Sequence, residues 1–439
     1  MKYGLIGEHL PHSFSKEIHE RLGYEYELAE LSPDELDEFM KKRDFAAINV
    51  TIPYKSAVIP YLAEMDEGAR QIGAVNTVIN RGGKLYGYNT DHFGMCALID
   101  KLGLELCRKK VLILGTGGTS NTAAAVAEHF KASDIIKVGR SAKDGSITYG
   151  EAYRDHSDAD IIINTTPCGM FPFADGEARK EVASASDENA AEAEQLSGVP
   201  IDISRFPRLC GVVDAVYNPI RTNLVLDAAQ RGIAAEGGLY MLVMQAARAS
   251  EIFTGKAIPS DTTDGIFHEI LAQKQNIVLT GMPGSGKSTV GRALAEKLKR
   301  AFVDTDTEIV KRTGKAIADI FRDDGEARFR DIEQSVIEEV CAKTVGAVIA
   351  TGGGAILRDR NARLLSRNGR IYFLDRAFDK LTPTKDRPIA SDAEMLRQRY
   401  EERHERYLST CDKEIKVNEN VSDTVTTIMQ DFFADEAQT

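Results

Sequence analysis

The sequence predicts an α/β protein with more than one domain. Two stretches, residues 110–120 and 276–289, each place a short apolar strand, a glycine-rich turn and a helical pattern in succession. The chain has 439 residues, which is more than the ~250–300 residues that one hydrophobic core usually organises. We therefore expect a separate α/β unit with a parallel sheet around each glycine-rich turn.

The composition is typical of a folded globular protein and gives no electrostatic basis for binding nucleic acid. Hydrophobic residues make up 43% of the chain and charged residues 28%, and the net charge is −12. This balance excludes a mostly disordered chain, and the acidic charge disfavours nucleic acid and anionic membranes. The longest apolar runs are strand-sized, and the first residues lack the apolar core of a signal peptide. We therefore expect neither nucleic acid nor a membrane as a partner.

Six scattered cysteines indicate a reducing compartment. None of them forms a C-x-x-C pair, so neither a disulfide scaffold nor a thiolate metal motif is predicted. Free thiols are usual in the cytoplasm, which is the location that we predict.

The first glycine-rich turn is typical of a dinucleotide site. Glycines in such a turn let the backbone approach a pyrophosphate, and the N–H groups of the next helix favour its charge. Ser120 occupies the third position of G-x-G-x-x-G, so the strict pattern is not met. The candidate cofactor-binding residues of this turn are Gly115, Gly117, Gly118, Thr119 and Ser120.

The end of the next predicted strand favours NADP(H) over NAD. Arg140 stands where an NAD site usually has an acidic residue for the ribose 2′-hydroxyl, and Ser141 and Lys143 follow it. A guanidinium matches a 2′-phosphate. Taken alone, Arg140 would be interpreted as a solvated loop residue; its position relative to the glycine-rich turn reverses that preference and favours the cofactor role.

The second turn, Gly281-x-x-x-x-Gly286-Lys287-Ser288, is a complete P-loop. Its backbone N–H groups would wrap phosphates, Lys287 would reach the outer phosphate oxygens, and Ser288 would ligate Mg²⁺. ATP and Mg²⁺ are therefore predicted. The candidate nucleotide-binding residues are Gly284, Ser285, Gly286, Lys287, Ser288 and Thr289.

Polar motifs in the N-terminal part resemble the shikimate dehydrogenase family. They are His12-Ser-Phe-Ser15, Asn49-Val-Thr-Ile-Pro-Tyr-Lys55, Gly73-Ala-Val-Asn-Thr77, Tyr88-Asn-Thr-Asp91, Tyr217-Asn-Pro and Gly237-Gly-Leu-Tyr-Met-Leu-Val-Met-Gln245. The resemblance, which runs from Met1 to about Ala257, implies NADPH-dependent reduction of 3-dehydroshikimate, with Lys55 and Asp91 as the catalytic pair and Gly238 at the cofactor. The implied substrate-binding residues are Ser13, Ser15, Thr51, Lys55, Asn76, Asp91, Tyr217 and Gln245. Lys16 and an acidic insertion at 173–195 depart from the family pattern. We expect little consequence from Lys16, and we expect the insertion to lie at the surface away from the chemistry.

The C-terminal part resembles shikimate kinase from about Gln275 to Phe433. The resemblance rests on the P-loop and on five further motifs: Phe302-Val-Asp-Thr-Asp306, Ala327-Arg-Phe-Arg-Asp-Ile-Glu333, Val348-Ile-Ala-Thr-Gly-Gly-Gly-Ala355, Lys385-Asp-Arg-Pro388 and Arg403-His-Glu-Arg-Tyr407. It implies that Asp304 supports Mg²⁺, that Arg387 lies in a lid over the phosphates, and that Lys287 and Asp306 act in phosphoryl transfer. The implied shikimate-binding residues are Asp306, Arg330, Gly353 and Arg403. Lys385 and Asp386 depart from the arginine-rich lids of that family.

Together the resemblances imply a bifunctional enzyme that reduces 3-dehydroshikimate to shikimate and then phosphorylates shikimate. The expected domains are a substrate domain at 1–101, to which 236–258 returns, a Rossmann NADP domain at 102–235, a linker at 259–274 and a P-loop kinase domain at 275–439. The alternatives are an NAD-dependent catabolic dehydrogenase, a non-catalytic regulator that senses quinate or shikimate, and a protein with only one active half. A monomer or a homodimer is expected.

Overall fold

The computed structural model describes residues 1–10, 13–143, 145–171, 198–381, 393–417 and 420–434. The chain divides into two compact units, Met1–Phe267 and His268–Thr439. No helix within the described ranges is long and apolar enough to cross a membrane. The predicted insertion at 173–195 and the predicted lid around Arg387 lie outside the described residues.

The first unit begins with a six-stranded sheet in the order β2-β1-β3-β5-β6-β4. Its first three strands are parallel, and β5 and β6 form an antiparallel hairpin beside β3. The strands are β1 (Tyr3–Gly7), β2 (Glu27–Glu30), β3 (Ala47–Val50), β4 (Glu64–Met65), β5 (Thr77–Arg81) and β6 (Lys84–Tyr88). The helices are α1 (Ser15–Arg21), α2 (Pro33–Lys42), α3 (Glu67–Ile72) and α4 (Asp91–Lys101).

The second sheet is fully parallel in the order β12-β11-β10-β7-β8-β9. Strands such as Ile161–Asn164 are buried on both faces, as expected for a sheet covered by helices on both sides. Its strands are β7 (Lys110–Leu114), β8 (Asp134–Gly139), β9 (Ile147–Thr148), β10 (Ile161–Asn164), β11 (Gly211–Asp214) and β12 (Ala234–Glu236). Its helices are α5 (Gly118–His129), α6 (Tyr149–Asp155) and α7 (Asn223–Gln230).

Helix α8 (Leu239–Thr254) leaves this sheet and packs against α1 and α4, which belong to the first sheet's part of the unit. The approach to α4 is close because a Cβ atom at Gly94 would lie 2.4 Å from the Met241 carbonyl oxygen. Helix α9 (Ser260–Lys274) then occupies the stretch predicted as a linker, and the boundary between the units falls inside it. The domain bounds themselves remain a prediction.

The second unit contains a parallel five-stranded sheet in the order β14-β15-β13-β16-β17, which agrees with the predicted α/β class. Its strands are β13 (Asn276–Thr280), β14 (Phe302–Asp304), β15 (Val348–Ala350), β16 (Gly369–Asp375) and β17 (Lys413–Lys416). Its helices are α10 (Lys287–Leu298), α11 (Thr305–Thr313), α12 (Ile317–Asp323), α13 (Gly325–Lys343), α14 (Asp359–Asn368), α15 (Ala393–Thr410) and α16 (Val421–Phe432). The glycine-rich turn follows β13, the central strand.

Candidate active sites

A lysine–aspartate pair forms the centre of the first site. Lys55 lies in the turn after β3, and Asp91 is the first residue of α4. The Lys55 Nζ atom lies 2.6 Å from Asp91 Oδ2, and the side chains are only 16% and 10% exposed. Partial burial makes such a pair stronger than one on the surface, so each partner holds the other in place.

The Asn76 amide fixes the second oxygen of that aspartate. Its Nδ2 atom donates to Asp91 Oδ1 over 2.9 Å and to Gln245 Oε1 over 3.3 Å. Its Oδ1 atom accepts from the backbone N–H of Thr90 over 2.7 Å. The structure therefore joins four of the predicted residues, which come from four separate segments of the chain. The buried Thr90 was not predicted, although it lies within the Asn-Thr-Asp motif.

Ser13 and Tyr217 form a second group in the same unit. Burial raises the pKa of the Tyr217 phenol, and a hydrogen bond with Ser13 opposes that shift. Ser15 begins α1 and is buried, and the Thr51 backbone N–H bonds the Ile6 carbonyl at the end of β1. Within the described residues no hydrogen bond joins Ser15 or Thr51 to the Lys55–Asp91 pair.

The glycine-rich turn after β7 lies beside the Lys55–Asp91 pair. Gly115 has a φ of +111°, which favours glycine. At Gly118, the first residue of α5, a Cβ atom would lie 3.5 Å from Ala74 Cβ and 3.9 Å from Lys55 Cβ. The N-terminus of α5 therefore opens next to Lys55. Ser120 is fully buried near the start of α5, and its role as a cofactor contact stays a prediction.

The end of β8 borders the same turn. A Cβ atom at Gly139 would lie 3.1 Å from Thr116 Cγ2, so the following Arg140 lies near the glycine-rich turn. Arg140, Ser141 and Lys143 are all exposed. The loop is closed by the Ser146 hydroxyl, which donates to the Lys143 carbonyl over 2.6 Å. Cationic side chains are thus available where a ribose 2′-phosphate is expected.

Two features at the end of β11 border the predicted cofactor residue Gly238. A Cβ atom at Gly238 would lie 2.3 Å from the Ala215 carbonyl, so only glycine fits. Asp214, which was not predicted, is fully buried and accepts hydrogen bonds from Asn164 Nδ2, Thr222 Oγ1 and the Val216 N–H. Burial raises its pKa to about 6. This network holds the loop that carries Tyr217 and contacts Gly238.

The P-loop of the second unit has the backbone that its glycines require. Gly281, Gly284 and Gly286 have positive φ angles, and Gly286 caps α10. Lys287 Nζ donates to the Gly281 and Met282 carbonyls over 2.8 and 2.9 Å, so the ammonium lies over the loop. Of the other predicted residues, Thr289 is exposed and Ser285 is fully buried. The contribution predicted for Ser285 is its backbone N–H, which does not require an exposed side chain.

Ser288 and Asp304 offer a pair of oxygen atoms to a cation. Ser288 Oγ donates to Asp304 Oδ2 over 2.6 Å. Asp304 Oδ1 accepts from the N–H groups of Asp306 and Thr307 at the start of α11, which fixes the carboxylate. A hydroxyl and a carboxylate beside a P-loop suit Mg²⁺, a hard cation that prefers oxygen ligands. The residues present therefore fit the predicted metal.

The predicted acceptor residues surround the glycine run after β15. Asp306 Oδ1 and Glu333 Oε1 would lie 2.7 and 2.9 Å from a Cβ atom at Gly352, so both carboxylates converge there. Arg330 Nη1 donates to Glu333 Oε2 over 2.7 Å. Burial raises the pKa of Glu333.

Hydrogen bonds to Gly353 connect α15 to this site. Its carbonyl accepts from Arg403 Nη1 over 3.4 Å and from the Tyr407 hydroxyl. Two arginines thus reach the glycine run, because the Arg330 guanidinium lies against Gly354 and Arg403 bonds Gly353; their binding of a substrate carboxylate stays a prediction. Tyr407 and Glu333 were not predicted as site residues, although both lie inside quoted motifs.

These features define the class of each unit. The first combines a parallel dinucleotide-type sheet with a partly buried Lys–Asp pair, which is typical of a nicotinamide-dependent oxidoreductase. The second combines a P-loop with a cation-binding pair and an arginine-lined acceptor site, which is typical of a P-loop kinase.

Comparisons with known proteins agree with both classes. A family model described as "Shikimate dehydrogenase substrate binding domain" matches residues 5–78, and one described as "Shikimate kinase" matches residues 283–433. A shikimate dehydrogenase (NADP(+)) of Clostridium perfringens is 32% identical over 287 residues, which cover 61% of this chain and 97% of the relative. One of Geobacillus kaustophilus is 35% identical and covers 58% and 92%.

Solved structures show the same likeness. Shikimate dehydrogenase 1 from Peptoclostridium difficile has a TM-score of 0.52 at 32% identity, covering 62% of this chain and 98% of that one. A chorismate mutase/shikimate 5-dehydrogenase fusion protein from Clostridium acetobutylicum has the same TM-score and identity, covering 61% and 96%. The chain belongs to the shikimate dehydrogenase family and carries a shikimate kinase domain at its C-terminus.

Proposed function

We propose that the chain is a bifunctional enzyme of the shikimate pathway. Its first unit reduces 3-dehydroshikimate to shikimate with NADPH, and its second unit phosphorylates shikimate with MgATP. The relatives named for shikimate dehydrogenase and the shikimate kinase family match support this assignment. The observation that carries it is the presence of two polar sites among the described residues, the Lys55–Asp91 pair and the P-loop with its Ser288–Asp304 pair.

In the reductase site we assign the proton to Lys55. Both Asp91 oxygens already accept hydrogen bonds, from Lys55 and from Asn76. The ammonium has three N–H groups and uses one of them on Asp91, so it has donors left for a substrate oxygen. NADPH, when bound, supplies the hydride. Lys55 then stabilises and protonates the oxygen formed at the ketone carbon, while Asp91 orients the ammonium.

The other residues of this site bind and orient the substrate. Asn76 and Gln245 share a hydrogen bond at the catalytic pair, and Ser13, Ser15, Thr51 and Tyr217 would complete the polar wall around shikimate. Arg140, with Ser141 and Lys143, would bind the 2′-phosphate of NADPH. Gly115, Gly117, Gly118 and Thr119 would hold the pyrophosphate through the N-terminus of α5, and Gly238 would give it a close backbone approach.

In the kinase site we assign positioning and charge neutralisation to the residues of the chain. ATP supplies the phosphoryl group when bound with Mg²⁺. Lys287 neutralises charge on the transferred group, Ser288 and Asp304 hold Mg²⁺, and Asp306 orients the shikimate hydroxyl. Arg330 and Arg403 would bind the shikimate carboxylate beside Gly353.

We further propose a cytoplasmic location and no nucleic-acid partner. The first rests on six free cysteines, which are usual in a reducing compartment. The second rests on the net charge of −12. A monomer or a homodimer remains the proposed assembly.

Separate assays of the two reactions test the proposal against its rival, a non-catalytic regulator. The full chain is given 3-dehydroshikimate with NADPH, and in a second reaction shikimate with MgATP. The enzyme oxidises NADPH in the first and forms ADP in the second. A chain that binds shikimate but turns over neither cofactor would be the regulator.

A further inference from the structure

We infer that Arg376 is a further nucleotide-binding residue of the kinase site and binds the phosphate chain of ATP. The inference rests on the proposed nucleotide site of the second unit. Arg376 directly follows β16, and β16 pairs with β13, the strand that leads into the P-loop. The end of β16 therefore lies against the loop, since a Cβ atom at Gly281 would lie 2.7 Å from the Leu374 carbonyl.

The guanidinium reaches the loop itself. Arg376 Nη1 would lie 3.9 Å from a Cβ atom at Gly286, the residue that caps α10. Lys287 is the next residue, and its ammonium is also at the loop. Two cationic side chains and a helix N-terminus thus meet at one place. Such a concentration of positive charge favours the binding of an anion.

Among the described residues, no ion pair holds the Arg376 guanidinium at the loop. Its Nε atom is buried without a hydrogen-bond partner, and no carboxylate among the described residues forms an ion pair with it. The adjacent Asp375 is instead engaged by Lys416 over 2.6 Å. A half-buried guanidinium left unpaired is costly, and a phosphate oxygen satisfies it with a charge-assisted hydrogen bond.

Nucleotide binding by the full chain, measured by calorimetry without shikimate, tests the inference. Arg376→Gln removes the charge, Arg376→Lys keeps it, and Arg312→Gln removes a surface arginine paired with Glu339. We expect Arg376→Gln to weaken MgATP and MgGTP binding about tenfold each. It should weaken inorganic tripolyphosphate by a similar factor. Arg376→Lys should recover part of the loss, and Arg312→Gln should match the wild type.

Two results would overturn the inference. One is an unchanged affinity of Arg376→Gln for MgATP. The other is weakened ATP binding with unchanged tripolyphosphate binding and no recovery in Arg376→Lys. That pattern would mean that the guanidinium contacts the purine base and not the phosphates. A wild type that binds MgATP but does not phosphorylate shikimate would contradict only the proposed function, since the binding test needs no acceptor.

Discussion

Replacing Lys55 by methionine should abolish most of the reductase activity and leave the kinase activity of the same molecule intact. Methionine is unbranched and keeps most of the length and the apolar stem of lysine, but it removes the ammonium that lies 2.6 Å from Asp91. Loss of general acid–base catalysis lowers kcat by about 10²–10⁴-fold, equivalent to about 3–5 kcal/mol of transition-state stabilisation. The kinase residues lie in the other unit, so phosphorylation of shikimate is an internal control.

The fold should survive this change because Asn76 still donates to Asp91. We expect about 1–2 kcal/mol of destabilisation, between the values for a surface ion pair and for a buried one. Lys41→Met is the matched control, since Lys41 forms a similar 2.7 Å pair with Asp37 but on the exposed surface. NADPH oxidation and ADP formation are followed on the same preparations. A kcat loss below tenfold, or an equal loss in both reactions, would refute the assigned role.

Changes at three further residues test other parts of the account. Asp304→Asn should lower kinase activity at least about 100-fold and raise the Mg²⁺ requirement, because asparagine still caps α11 but is a neutral metal ligand; an unchanged Mg²⁺ titration would contradict this. Arg140→Gln should weaken NADPH about tenfold and NADH hardly at all, whereas equal weakening would remove Arg140 from the 2′-phosphate. Asp214→Ala should destabilise the first unit by about 3 kcal/mol, because three buried donors lose their acceptor. In the wild type the Asp214 pKa of about 6 lies above its ordinary 3.8. The folded state therefore binds the extra proton, and stability should fall by up to about 3 kcal/mol as pH rises from about 4 to 6. Asp214→Asn should lack this pH dependence in urea denaturation, and a decline of the same size in that variant would exclude Asp214 as its source.

The phosphate-binding turns could be predicted because their geometry constrains the local sequence. A backbone that wraps phosphate needs glycine at fixed spacing, and Gly281 and Gly286 do adopt positive φ angles. The fold class followed from strands placed before these turns. The Lys55–Asp91 pair was predicted through its motifs, because nothing in the spacing of residues 36 positions apart indicates a contact.

Residues whose roles depend on contacts between distant strands could not be predicted. Asp214 gains its role from Asn164, which is 50 residues away, and Arg376 from the pairing of β16 with β13. The helical structure of α9 was also not predicted, because its composition is typical of a linker. The polar, turn-rich start of that segment predicted a linker, yet Ile266 and Ile270 are four residues apart and both are buried, so tertiary packing stabilises a helix there.

The most direct test of the bifunctional assignment follows both reactions into one product. The purified chain is incubated with 3-dehydroshikimate, NADPH carrying deuterium at the transferred position, Mg²⁺ and ATP labelled with ¹⁸O in the γ-phosphate. Mass spectrometry should find shikimate phosphate that carries both labels in the same molecule. Deuterated shikimate without phosphate would show that the second unit is not a shikimate kinase, and unlabelled, unchanged 3-dehydroshikimate would contradict the reductase assignment.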